Sequence, residues 1–241
     1  MFSKFKNRSH ELERIDTGDY TPAEYERFLG EIAFINRFLG DARALKKTLL
    51  REVEAADLYD FSVLDVGAGS GELLRQIDAF AACTGRKASL AGLDLNDISA
   101  AAIKRDCSAF PNISTIRGDA LKLPLADNSF DYAISSLFFH HLTDEQIVIA
   151  LKEMTRVARR GIFVIDLHRH PAAYALFRLF CFAFRISPLV REDGSLSILR
   201  GFKSRELRNL SGISGPDENQ VERKMPFRLV ICKTTTADWR A

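Results

Sequence analysis

Apolar positions in the first quarter of the chain recur at helical spacing. Thr21-Pro22-Ala23-Glu24 combines an N-cap hydroxyl, a proline at the first helical position and a carboxylate three residues on, which together start a helix. Ile32, Ile35 and Leu39 continue it, Gly40-Asp41 breaks it and caps a second helix, and Leu45, Leu49 and Val53 carry that helix on. Residues 1–20 show no such period and read as a mobile arm. After residue 57 the period changes. Short apolar runs at 61–66, 89–94, 113–117, 130–135 and 161–166 read as strands, and helical patterns at 71–82, 97–107 and 143–159 lie between them. Strands alternating with helices predict a mostly parallel, doubly wound sheet covered on both faces. Residues 171–186 are apolar nearly all round, with only Arg178 and Arg185 charged, and run into a polar stretch read as a loop that holds Arg191-Glu192-Asp193-Gly194 and Arg200. A short helix is expected over 203–210. Residues 221–234, divided by Pro226, form one or two closing strands. The expected organisation is an N-terminal helical lid (1–57) and an α/β domain (58–241) with a cap inserted at 167–202.

Composition narrows the function. Thirty-four basic against thirty-two acidic residues give +2, too balanced to make nucleic acid the default partner. Four cysteines without a CxxC pair exclude a zinc ribbon and argue against a disulfide framework. No metal site is expected. The start of the chain lacks the apolar run of a signal peptide and no stretch is long enough to span a bilayer, so the expected location is the cytoplasm.

The chemistry centres on Val63-Leu-Asp-Val-Gly-Ala-Gly-Ser-Gly71-Glu72, a strand end, a GxGxG loop and a helix start. Ligands of open α/β sheets bind at the carboxyl ends of the strands, where glycines let the backbone come close. A dinucleotide fingerprint needs a third glycine where this chain has Glu72, and a carboxylate in the first helical turn repels a pyrophosphate. A nicotinamide oxidoreductase is therefore the weaker reading. Asp65 suits an ammonium group, Asp94 at the second strand end suits a pair of ribose hydroxyls, and Asp119 suits an adenine amino group. Together they describe an adenosine that bears an amino acid and no phosphate.

Asp65-Val-Gly-Ala-Gly-Ser-Gly71, Leu93-Asp-Leu-Asn96, Gly118-Asp-Ala-Leu-Lys-Leu-Pro124 and Phe130-Asp-Tyr-Ala-Ile-Ser-Ser136 resemble the successive motifs of class I S-adenosylmethionine-dependent methyltransferases. The likeness runs over about residues 60–166. The Leu-Pro-Leu-Ala-Asp-Asn-Ser-Phe-Asp stretch and His140-His141-Leu142 resemble the quinone-biosynthesis branch. Ile35–Gly40 and Asp166–His170 more loosely resemble bacterial enzymes of phenolic and polyketide pathways. The resemblance implies a seven-stranded Rossmann-like fold, S-adenosylmethionine as cofactor and S-adenosylhomocysteine as product. It implies a cofactor site of Asp65, Gly67, Ala68, Gly69, Ser70, Gly71, Asp94, Leu95, Asp119, Ala120 and Ser136.

Nucleic-acid amino methyltransferases carry an Asn/Asp-Pro-Pro-Tyr/Phe run where this chain has Ser135-Ser-Leu-Phe-Phe, and no cysteine sits where a cytosine C5 enzyme needs one. An apolar or aromatic small molecule is the expected acceptor. A phenol of pKa near 10 must lose its proton, and His140 or His141 is the candidate base. Asp166, His168, Arg169, Tyr174 and Arg200 are candidate acceptor-binding residues. The four phenylalanines of 171–186 pack a buried helix or, alternatively, cap the acceptor and touch a membrane. Methylation at oxygen of a phenol or carboxylate is the expected reaction. Carbon methylation of a quinone-type ring, or binding of the cofactor by an assembly protein without turnover, are the alternatives.

Overall fold

A computed structural model describes residues 3–213 and 220–234. The 18-residue helix α2 (Pro22–Leu39) starts as its sequence dictates: Thr21 Oγ1 accepts from Glu24 N–H, and Glu24 returns the bond to Thr21 N–H. Gly40, in the left-handed region at φ 102°, turns the chain into α3 (Asp41–Leu45), which continues through a wide helical turn (Lys46–Leu50) into α4 (Arg51–Ala55). Then β1 (Asp60–Val66), α5 (Glu72–Thr84), β2 (Lys87–Asp94), α6 (Asp97–Asp106), β3 (Ile113–Arg117), β4 (Phe130–Ser136), α7 (Asp144–Val157) and β5 (Ala158–Leu167) follow. α8 (Pro171–Ala183), α9 (Pro188–Arg200) and α10 (Ser204–Ile213) precede β6 (Gln220–Lys224) and β7 (Arg228–Thr234).

One seven-stranded sheet runs in the order β3-β2-β1-β4-β5-β7-β6. β1 to β5 pair in parallel, and β7 lies antiparallel between β5 and β6. The order reverses at β1, so the connections that follow the neighbouring strands β1 and β4 lead away to opposite sides, and their carboxyl ends mark the switch point where such sheets take ligands. Pro226 sits in the turn of a β6–β7 hairpin, which settles the closing segment as two strands.

The helical lid expected over 1–57 separates into three parts. Leu45, Leu49 and Val53 of the α3–α4 rod are fully buried against one sheet face with Val63, Ile77 and Ile165, so this rod is a layer of the α/β core. α2 goes elsewhere: Tyr25, Phe28, Leu29 and Ile35 pack with Phe177 and Cys181 of α8 and with Val190 and Ile198 of α9. The preface and the insertion after β5 thus form one roof over the strand ends. Residues 3–20, read as a mobile arm, lie along that roof. Ser9 N–H donates to Leu199 O, and Arg8 donates to the carbonyls of Arg200, His140 and Leu142. The polar stretch after α8, read as a loop, is the 13-residue helix α9. Two of its polar residues bond to the arm: Asp193 accepts from Arg14 and Ile15 N–H, and Ser197 donates to Glu13. Hydrophobic periodicity does not register a helix held by polar partners.

Candidate active site

The roof and the sheet enclose a cavity of about 970 Å³. Its floor is the glycine loop. Gly67, Gly69 and Gly71 all take positive φ, and Gly67 and Ala68 N–H both donate to Leu93 O, so the loop folds back on β2. A Cβ at Gly67 would lie 2.7 Å from Phe138, whereas nothing approaches one at Gly69. Gly67 is therefore fixed by packing and Gly69 by the backbone turn that faces the cavity.

Two carboxylates stand beside the loop. Asp94 accepts from Gly69 N–H at 3.0 Å through Oδ2 and from Asn96 N–H at 2.9 Å through Oδ1, which fixes its plane against the loop. Burial raises its pKa and those backbone bonds oppose the rise. Asp65 at the end of β1 is buried, and its Oδ1 has no hydrogen-bond partner among the described residues. Burial first, then the charge of Asp94, pushes its carboxyl up to about 7. Asp119 is fixed by Leu121 N–H donating to its Oδ1 at 2.8 Å. Ser136 at the end of β4 donates to Asp41.

The two histidines stand at the cavity wall on the short turn Phe139–His141. His140 Nδ1 lies 2.8 Å from Asp166 Oδ1. Although Asp166 is fully buried, the His140 contact and its hydrogen bond hold it below the usual carboxylate range, so it accepts and His140 Nδ1 carries the hydrogen. In the neutral imidazole Nε2 is then the acceptor. His141 Nδ1 lies 2.8 Å from Asp16 of the arm, and hydrogen bonds from His141 and Arg200 hold Asp16 low against its own desolvation.

Residues 63–161 match the family described as a methyltransferase domain. A demethylmenaquinone methyltransferase of Staphylococcus aureus is 26% identical over 155 residues, which is 64% of this chain and 59% of that protein. The chain thus spans less than two thirds of that relative. A methyltransferase of Aquifex aeolicus described as dependent on S-adenosylmethionine superposes with a TM-score of 0.56 at 16% identity, over 90% of this chain and all of the other. Human N-acetylserotonin methyltransferase in complex with S-adenosylmethionine gives 0.63 at 17% identity, over 90% of this chain and 57% of that one. The fold is that of the S-adenosylmethionine-dependent methyltransferases on which it superposes, and residues 63–161 match the methyltransferase-domain family.

The residues around the cavity fit S-adenosylmethionine on their own geometry. The unpartnered Asp65 Oδ1 matches an ammonium group. Asp94 keeps acceptor lone pairs beyond its two backbone bonds, and the space before Gly69 admits a ligand against bare backbone. Asp65, Gly67, Ala68, Gly69, Ser70, Asp94, Leu95, Asp119, Ala120 and Ser136 line the one cavity with both histidines. Gly71 does not: it opens α5, where a Cβ would meet Cys107 Sγ at 2.9 Å. Glu72, the residue that argues against a pyrophosphate, is bonded to Arg75.

The five acceptor-binding candidates are placed differently. Asp166 lies beneath His140 and is closed to any ligand by burial. Arg169 is buried behind the roof, bonded to Gly201 O, Phe5 O and Glu206. His168 faces a second, smaller depression beside Arg169, and burial and neighbouring cations lower its pKa to about 4. Tyr174 packs under Lys4 and against Phe5 outside the cavity. Arg200 spends its guanidinium on the carbonyls of His140 and His141 and on Asp16. These charges hold the walls in place.

The sequence pattern did not mark Glu13, Asp16, Tyr20, Tyr25 or Asp41 as site residues, yet all of them line the cavity. Tyr20 accepts from Asn96 next to Asp94, and Tyr25 shares a hydrogen bond with Ser99. The one local signal was Asp41 after Gly40, which reads equally well as a cap.

Proposed function

We propose that this chain transfers the methyl group of S-adenosylmethionine to an apolar small molecule, at the oxygen of a phenol or carboxylate. The observation that carries this reading is the continuity of the cavity. One space holds the glycine loop, the acidic trio and both histidines, and Phe28, Leu29, Ile35, Phe177 and Ile198 give it an apolar stretch of wall. When bound, the cofactor supplies an electrophilic methyl carbon whose bond to sulfur breaks to leave S-adenosylhomocysteine. The protein's share is to hold the acceptor in line, to exclude water with the roof and to take a proton. His140 Nε2 is the candidate proton acceptor, with Asp166 fixing its tautomer and stabilising the imidazolium that forms.

Carbon methylation of a quinone-type ring is the second reading. It is favoured by the likeness to the Staphylococcus demethylmenaquinone methyltransferase, and the same imidazole would take a proton from an activated ring carbon. The test is calorimetric titration with S-adenosylhomocysteine, then a labelled-methyl screen of alkylphenols, aromatic acids and reduced quinones, with NMR locating the new methyl group. Binding is expected at micromolar concentration. Its absence would sink the cofactor assignment, and binding without transfer to any acceptor would favour a protein that does not turn over. With an acceptor in hand, His140→Ala is expected to keep cofactor affinity and lose about a hundredfold to ten-thousandfold in kcat. Full activity in that variant would remove the base.

We further propose that the outer face of α8 brings the acceptor from a lipid surface. Leu176, Leu179, Phe182 and Phe184 are exposed there, Phe182 at 83%, and Phe38 of α2 stacks on Phe184. Leu176 also lines the cavity, so one helix joins the exposed patch to the interior. No helix among the described residues is long and apolar enough to cross a bilayer. A helix of this kind lies in the interfacial plane, with Arg178 and Arg185 near headgroups. Co-sedimentation with phosphatidylglycerol–phosphatidylcholine vesicles is expected to fall about tenfold in Phe182→Ser, the loss of a buried aromatic side chain. Wild type that ignores vesicles and doubles in mass on gel filtration would assign the patch to a second copy of the chain.

A further inference from the structure

A depression of about 490 Å³ lies at the start of α8 and shares no lining residue with the large cavity. The arm brings Lys6 to it, the residues after β5 bring His168, the start of α10 brings Lys203 and Arg205, and β6 brings Arg223. No acidic residue lines it among the described residues. Among those residues Lys6, Lys203, Arg205 and Arg223 make no ion pair. Lys203 Nζ donates to Lys6 O at 3.0 Å and Arg223 Nε donates to Ser204 Oγ at 3.0 Å, both neutral oxygens. Glu206, the acid that follows Arg205, is spent on the Arg169 guanidinium and on Lys203 N–H. Four cations thus line one hollow without a counter-charge.

The positive field there is visible in His168. Burial first, then Arg223, His170 and Arg169, lower its pKa to about 4, so the ring is neutral near pH 7 and offers an N–H donor. Ser204 is buried, and after accepting from Arg223 its hydroxyl still has a hydrogen to donate. Like charges held together oppose folding unless a counter-charge joins them. A metal ion is repelled by the same cations, although the His168 and His170 rings lie 5.6 Å apart. A nucleic acid calls for a long basic track, whereas this is one hollow.

We propose that this depression binds a phosphate group, carried by a lipid headgroup or by a soluble phosphate ester. Guanidinium forks on Arg205 and Arg223 and the ammonium groups of Lys6 and Lys203 match the several oxygens of a phosphate, and His168 and Ser204 add neutral donors. The volume admits the phosphate and the first atoms of its ester. α8 begins at Pro171 in the wall of the depression and carries the exposed Leu176, Leu179 and Phe182 within about three turns. A headgroup held at that end of α8 would anchor the helix whose apolar face is proposed above to meet lipid. The site shares no residue with the place of methyl transfer, so either reading can fail alone.

The test titrates the full chain with glycerol 3-phosphate, read by calorimetry and by proton NMR of the histidine rings, with glycerol and acetate as controls. Saturable binding of the phosphate ester alone is expected. The bound anion should raise the His168 pKa from about 4 by about one unit, because it offsets the cations that hold it down. Lys6→Glu and Arg205→Glu are each expected to weaken binding about tenfold, the loss of one charge-assisted bond. Both should melt no lower than wild type, because each relieves repulsion among like charges. If either fails to fold, Arg205→Gln, which only removes the charge, serves with the same expectation. Lys104→Glu makes the same charge change on an exposed position of α6 and is expected to bind as wild type does. No saturable binding, acetate bound as tightly as the phosphate ester, or an equal loss in all three glutamate variants would each overturn the proposal. Co-sedimentation with phosphatidic acid–phosphatidylcholine vesicles then identifies the carrier. Vesicle binding that glycerol 3-phosphate displaces and Arg205→Glu loses assigns the site to a headgroup. Binding of the soluble ester without vesicle binding assigns it to a soluble phosphate ester. Vesicle binding that persists in Arg205→Glu, with no binding of the soluble ester, overturns the site.

Discussion

Asp65→Asn is expected to weaken S-adenosylhomocysteine binding by about ten- to a hundredfold at pH 8, the value of one charge-assisted hydrogen bond. It is also expected to raise the melting temperature of the ligand-free protein at that pH. Both effects have one cause. The carboxyl is buried, Oδ1 is unpartnered, and its pKa is pushed up to about 7 by burial and by Asp94. Between the ordinary carboxylate value and 7, the folded state binds a proton that the unfolded chain releases. The stability this proton gives is complete below the unfolded value and is lost as pH rises through about 7. Above that pH the free protein carries a buried charge with no cation beside it, which an asparagine removes. A bound ammonium needs that charge, so wild-type affinity should fall as pH drops below 7, by at most tenfold per unit, and the variant's affinity should not follow pH. Calorimetry from pH 5.5 to 8.5 with a matched melting series reads both. An affinity in Asp65→Asn equal to wild type at pH 8 would show that Asp65 faces no ammonium.

What could be read from the sequence follows from the range over which each signal acts. β1, its glycines and Asp94 are legible because a strand end, a tight turn and a helix start occupy consecutive residues, and each demands a residue type. The helix starts at Thr21 and Thr143 are legible for the same reason, and both form reciprocal caps. The roof is not. Glu13 reaches the cavity only because α9 offers Ser197 and α1 (Arg14–Thr17) is pinned on Asp193, contacts across more than 170 residues. Asp166 and Arg200 were expected at the acceptor because charged residues near a strand end usually face a ligand. Here they hold His140 and the arm in place, and only the tertiary arrangement tells those two uses apart.

Arg228→Ala is expected to destabilise the fold by about 3–5 kcal/mol, the cost of leaving one member of a buried ion pair alone. Asp41 and Arg228 are both nearly fully buried and meet through two parallel bonds of 2.8 Å. Asp41 opens α3, directly after the left-handed Gly40, and Arg228 opens β7, so the pair joins the helical preface to the closing hairpin. Gly40 is held to the same place: a Cβ there would meet Pro226 at 2.6 Å. Asp41 also accepts from Ser136 and lines the cavity, so an unpaired carboxylate would be left in the wall of the site. For a chain of this length the loss corresponds to a melting temperature lower by about 6–20 °C. Asp41→Asn combined with Arg228→Met removes both charges and should recover most of it, since a buried pair replaced by neutral groups of similar volume is often neutral in stability. If Arg228→Ala melts within 2 °C of wild type, in scans where the transition is reversible, then water reaches the pair and the junction is not the clamp its burial indicates. If the double variant recovers stability but binds S-adenosylhomocysteine differently from wild type, the charge of Asp41 acts on the cofactor site as well as on the fold.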